Sequence, residues 1–115
     1  MYFVLVPPPR LYDSTPLLRQ YVGETGSLYC QSMFEPQPKR KWEKLSGKKW
    51  MIVPIDSRVS MDPKGLLVLR NLLKDDSGTY RCTASNQAGQ VQRNMSLTVF
   101  GKYDSNFVGL AKQRS

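Results

Sequence analysis

The chain of 115 residues contains no histidine. That absence removes the Ser-His-Asp and Cys-His pairings that activate a nucleophile. With only two cysteines besides, there is no Cys/His spacing of the kind that binds zinc. No glycine-rich phosphate cradle is present either. Asp75-Asp76 could serve acid–base chemistry only inside a shaped pocket, and nothing in the sequence builds one. Catalysis is therefore not expected, and neither is a metal or a cofactor. No apolar run is long enough to cross a membrane, so no membrane insertion by this segment is expected. Met1 to Val6 is too short for a complete secretory leader and lacks a basic start. It reads as a first strand, or as the start of a module belonging to something larger. Acids are scarce: nine Asp and Glu stand against seventeen Lys and Arg, a net charge of +8. That sign favours anionic partners and has no bearing on fold.

What is present fits one domain with one core, since 40% of the residues are apolar. Pro7-Pro8-Pro9 blocks sheet hydrogen bonding and marks an edge or entry linker. A short strand is expected around residues 16–22. Ser27 to Met33 alternates, with Leu28, Cys30 and Ser32 on one face. Glu35 to Pro38 is a loop, and Lys39 to Lys44 is a strand carrying Trp42. After a turn at Leu45 to Lys48, a short strand runs from Lys49 to Val53. Lys64-Gly65 is a tight turn and Leu66 to Leu72 an apolar strand. Tyr80, Cys82 and Ala84 face inward, with Thr79, Arg81 and Thr83 outward. Asn86 to Gly89 is a hairpin turn, and Met95, Leu97 and Val99 alternate in a last strand. Seven to nine short strands at this spacing predict an all-β, two-sheet sandwich.

Cys30 and Cys82 bracket Trp42, and the second closes the run Asp76-Ser77-Gly78-Thr79-Tyr80-Arg81-Cys82. Together with Gly26-x-Leu28-x-Cys30 and Leu67-x-Leu69-x-x-Leu72, this pattern resembles the immunoglobulin superfamily. Ala84 to Gly89 is similar to the F–G turn of its intermediate, or I-set, subclass. The resemblance covers residues 9–100, leaving 1–8 as an N-terminal strand or linker and 101–115 as a tail or linker. It implies a Greek-key immunoglobulin-like sandwich with one inter-sheet disulfide, Cys30 to Cys82. Closing such a loop stabilises by roughly 4 kcal/mol on the chain-entropy model. The alternative is a pair of buried thiols, as in cytoplasmic muscle-type domains. The resemblance also implies that Trp42 packs on the disulfide, that Tyr80 forms a tyrosine corner, and that Arg58 pairs with Asp76. These four are expected to be structural.

The candidate binding residues lie elsewhere. Lys39, Arg40, Lys41, Lys44, Lys48 and Lys49 place six positive charges in eleven residues, with Glu43 the sole acid among them. Parity puts Lys39 and Lys41 opposite Trp42, with Arg81 facing the same way on the neighbouring strand. A basic stripe on the C–F–G sheet is expected, matching the sulfates of heparan sulfate; the competing expectation is a merely solvated face. Arg40 departs from the family pattern, two before the tryptophan where an apolar residue is usual. Either it snorkels out or the strand carries a bulge. Trp50 and Met51 form a second candidate, a protein-binding surface near a sheet edge. Asn94-Met95-Ser96 is an acceptor sequence for N-glycosylation.

These observations predict a non-catalytic recognition module at the cell surface or outside the cell, part of a larger receptor, adhesion or matrix protein. Its partner would be a protein ligand or a second copy, with heparan sulfate as a co-ligand. The alternative is a structural spacer in an intracellular elastic or sarcomeric array. Nucleic acid is not expected, because no nucleic-acid module motif accompanies the charge.

Overall fold

A computed structural model describes residues 8–9, 17–30 and 39–101. The expectations for residues 1–6, 31–38 and 102–115 lie outside that range. Among the described residues eight strands and one 3-10 turn follow in order: β1 Leu17–Tyr21, β2 Gly26–Leu28, β3 Lys39–Ser46, β4 Lys49–Ile52, β5 Val59–Met61, β6 Leu67–Leu69, the 3-10 turn Lys74–Asp76, β7 Gly78–Asn86 and β8 Gly89–Phe100. They form two sheets, one ordered β1-β8-β7-β3-β4 and the other β2-β6-β5. β1 runs parallel to β8, while the other pairs are antiparallel.

Period-two alternation decides what each sheet buries. Trp42, Tyr80, Cys82, Ala84, Met95, Leu97 and Val99 face inward from the large sheet, against Leu28, Val59, Leu67 and Leu69 from the small one. Cys30 and Cys82 are joined as a disulfide across the two layers, with Cα atoms 6.2 Å apart and a sequence separation of 52. Trp42 is in register with Cys82 on the adjacent strand, and the residue is 4% exposed.

The expected strand from Leu66 to Leu72 is shorter than its apolar content suggests. β6 stops at Leu69 because Asn71 takes a positive φ of 50°, which no strand accommodates. Leu72 is nonetheless fully buried, and its backbone exchanges hydrogen bonds with Gly23 and Glu24 in the turn after β1. One other boundary also moves. β3 extends through Ser46, so that the β3–β4 turn is only Gly47-Lys48. Here Gly47 supplies a φ of 63°.

Candidate recognition face

Most of the charged side chains near the core secure the two ends of the sandwich. At one end Tyr80 donates its hydroxyl to the Asp76 carbonyl at 2.6 Å. Burial, with the nearby Asp76 charge adding to it, pushes the phenol well above its ordinary range. Arg58 meets the Asp76 carboxylate with both terminal nitrogens, at 2.9 and 3.1 Å. Burial alone would raise the Asp76 carboxyl. The Arg58 hydrogen bond, the Leu73 N–H and the charges of Arg58 and Lys44 outweigh it and hold the group below 3.8. Lys44 shares its inward parity with Trp42; its ammonium lies 5.5 Å from the Tyr80 ring centroid and donates to the Asp75 carbonyl.

At the other end, Arg40 neither snorkels free nor sits in a bulge. The β3–β7 register is continuous from Lys39 to Lys44. The guanidinium stays half-buried, with Nε donating to the Cys30 carbonyl at 2.7 Å and Nη1 to the Pro63 carbonyl at 3.1 Å. Three backbone features converge there. Trp42 Nε1 donates to the Gly65 carbonyl at 3.2 Å, Gly65 holds a φ of 95°, and a Cβ on Gly65 would fall 2.5 Å from the Cys30 oxygen. In sequence Gly65 reads only as a turn glycine; its contact with Arg40 and Cys30 depends on packing between distant segments.

The outer face of the five-stranded sheet holds a different arrangement. Glu43 is in register with Arg81 on β7 and with Ile52 on β4. Arg81 donates twice to Glu43 Oε1, at 3.1 and 2.8 Å, and Lys41 Nζ lies 3.8 Å from Oε2. The guanidinium carbon of Arg81 also sits 4.1 Å from the centroid of Trp50, a cation–π stack. Although it faces away from the core, Glu43 is 7% exposed. Thr83 is equally covered, and its hydroxyl accepts from Gln92 Nε2 at 3.2 Å. The outward face is therefore partly packed, not simply solvated.

This geometry divides the residues that the sequence grouped. Of the seven basic candidates, Lys39, Lys41, Lys48 and Lys49 are exposed. Arg40, Lys44 and Arg81 are anchored by the contacts just described. The exposed four do not make one stripe: Lys39 and Lys41 lie on one side of the Glu43–Arg81–Trp50 block, Lys48 and Lys49 at the hairpin on the other. Lys41 and the hairpin are separated along β3 by about 17 Å at strand rise. Trp50 and Met51 point to opposite sides of β4, so they do not form one surface. Trp50 joins the outer face beside exposed Ile52. Met51 lines a groove of about 470 Å³ between β4 and β5, with Lys44, Val53, Val59 and Tyr80. Asn94 lies exposed on the outer face, in register with Arg81. Among the described residues no group of acidic, Cys or His side chains could hold a metal ion, and no helix is long and apolar enough to cross a membrane.

The family model for the immunoglobulin I-set domain matches residues 14–99. Among curated proteins, the chain is 34% identical over 103 residues to a WAP, Kazal, immunoglobulin, Kunitz and NTR domain-containing protein of Danio rerio, covering 86% of this chain and 18% of that protein. It is 37% identical over 81 residues to the netrin receptor DCC of Mus musculus, covering 70% of this chain and 6% of the receptor. The chain thus spans less than a fifth of each of these two relatives. Among solved structures it is similar to one on Dscam isoform specificity, with a TM-score of 0.74 and 28% identity over 81% of this chain and 24% of that one. It is likewise similar to a chain of the Titin M10–Obscurin like 1 Ig complex, with a TM-score of 0.68 and 28% identity over 82% of this chain and 95% of that one. The sandwich, the disulfide against Trp42, the tyrosine corner and the matched model together make this chain a member of the immunoglobulin I-set domain family.

Proposed function

We propose that this domain is a non-catalytic recognition module of a larger cell-surface or secreted protein, and that it docks an acidic protein partner on the β3–β4 side of its outer face. The observation that carries this reading is the Glu43–Arg81–Trp50 stack beside exposed Ile52. An aromatic ring and an arginine held in place before binding lose little freedom on binding, and these two residue types dominate interface hot spots. The flanking lysines speed encounter with an acidic surface. At a net charge of +8, two copies of the chain repel each other, which favours a different protein over a second copy. The closed Cys30–Cys82 disulfide supports an oxidising compartment over the intracellular spacer alternative. Similarity to a netrin receptor supports placement in a receptor or a related surface protein.

Heparan sulfate remains the second ligand class, through Lys39, Lys41, Lys48 and Lys49. The separation of those lysines into two pairs favours the protein partner over the glycan. The test is retention of the tetramerised domain on intact cells, comparing wild type, Ile52→Asp and a Lys39/Lys41/Lys48/Lys49→Ala variant. Retention should fall at least tenfold with Ile52→Asp, disappear after the cells are treated with trypsin, and survive heparinase. Retention that is abolished by heparinase and indifferent to Ile52→Asp would overturn the protein-docking reading in favour of a glycan surface. No retention on any cell type would favour the spacer alternative.

A further inference from the structure

We infer that Asn94 is an N-glycan acceptor and that its sugar stands on the outer sheet face, beside the Arg81 row. The acceptor sequence Asn94-Met95-Ser96 lies within β8. Met95 is 3% exposed and points into the core, so alternation sends Asn94 and Ser96 outward together. Asn94 is exposed, and no hydrogen bond ties up its amide among the described residues. The hydroxyl that an acceptor needs two residues on is present in Ser96. The sequence and its presentation thus agree.

The chemistry needs a single co-reactant, an oligosaccharide carried on a lipid pyrophosphate. Asn94 Nδ2 bonds to the anomeric carbon, the anomeric C–O bond breaks, and its electron pair leaves with the pyrophosphate. One amide proton is lost, and nothing is oxidised or reduced. Because this transfer takes place in the secretory compartment, the inference rests on the extracellular reading given above. At about 4.8 Å between strands, Asn94 stands one strand from Arg81 and three from Ile52, about 14 Å away. A glycan there rises from the β8 side of the face and leaves the β3–β4 side open.

The test is expression of the full chain behind a cleavable leader in a eukaryotic secretory host. Wild type, Asn94→Gln, Ser96→Ala and Ser96→Thr would be digested with peptide N-glycosidase in heavy-oxygen water and mapped by mass spectrometry. Cys30 and Cys82 would be probed for free thiols in the same samples. Wild type should acquire heavy-oxygen aspartate at position 94, the first two variants should lose the mobility shift, and Ser96→Thr should match or exceed wild-type occupancy. A chain with its disulfide closed and Asn94 unmodified would overturn the inference and leave the extracellular reading standing. Unmodified Asn94 together with free thiols would overturn both. A glycan on a chain whose cysteines stay reduced would keep the acceptor assignment and count against the disulfide-closed module.

Discussion

At the scale of single residues, two hydrogen-bonding positions differ in how the sequence exposes them. Tyr80 is marked by its place two before Cys82, and its hydroxyl reaches the Asp76 carbonyl in a buried setting. Tyr80→Phe keeps the ring and leaves that carbonyl without its donor. Urea denaturation should show a loss of about 1–2 kcal/mol, the scale of one unsatisfied buried group; an unchanged midpoint would refute the corner's energetic role. Gly65 carries no such marker. Its φ of 95° and the absence of room for a Cβ beside the Cys30 oxygen are properties of the folded chain. Gly65→Ala should cost about 2 kcal/mol or more, combining left-handed strain with a clash against backbone. The same change at Gly47, whose Cβ would meet nothing within 4 Å, should cost less, which isolates the steric part. Equal losses in the two variants would mean that the contact with Arg40 and Cys30 relaxes freely.

At the scale of strands, the legible part of the fold was its alternation, and the hidden part was pairing. Leu28, Tyr80, Cys82, Met95, Leu97 and Val99 are all buried as their parity requires. Parity also placed Lys39, Lys41 and Arg81 outward, and these are their faces. What it could not supply was the cross-strand partner of each. Glu43 stood out only as the acid in a basic run, although it shares outward parity with Arg81 on the adjacent strand. That shared parity was the available signal for the ion pair. Arg40 was hidden for a related reason: its acceptors, the Cys30 and Pro63 carbonyls, belong to other segments. The Glu43–Arg81 pair is largely covered, with side chains 10% and 21% exposed. A double-mutant cycle with Glu43→Gln and Arg81→Gln should give a coupling of about 1–2 kcal/mol, above the range of exposed pairs. Arg81→Gln should also change Trp50 fluorescence by uncovering the ring. A coupling near zero would mean that the pair does not hold the outer face in place.

At the scale of the whole molecule, charge is the exposed weakness. Protonating all nine carboxylates would leave seventeen basic side chains uncompensated, so acid adds self-repulsion to the loss of individual pairs. The two effects can be separated. Asp76 binds its proton less readily in the folded chain than at its ordinary value of 3.8. The unfolded state therefore takes up the proton first as pH falls. The stability from Asp76 is fully present above about pH 4 and is lost as pH drops through the folded value. Asp76→Asn should consequently lower the thermal midpoint most at neutral pH, and the gap to wild type should narrow progressively below about pH 4. Salt acts on the other component. At about 0.1 M the screening length is about 10 Å, enough to weaken repulsion across the surface but not the covered contact between Arg58 and Asp76 at 2.9 Å. Added sodium chloride should therefore raise the midpoint of both proteins in acid while leaving the gap between them nearly unchanged at neutral pH. The check is a grid of thermal melts over pH and salt. A wild-type-to-variant gap that stays constant into acid would show that Asp76 contributes no charge-dependent stability, and that acid acts on this domain through net repulsion alone.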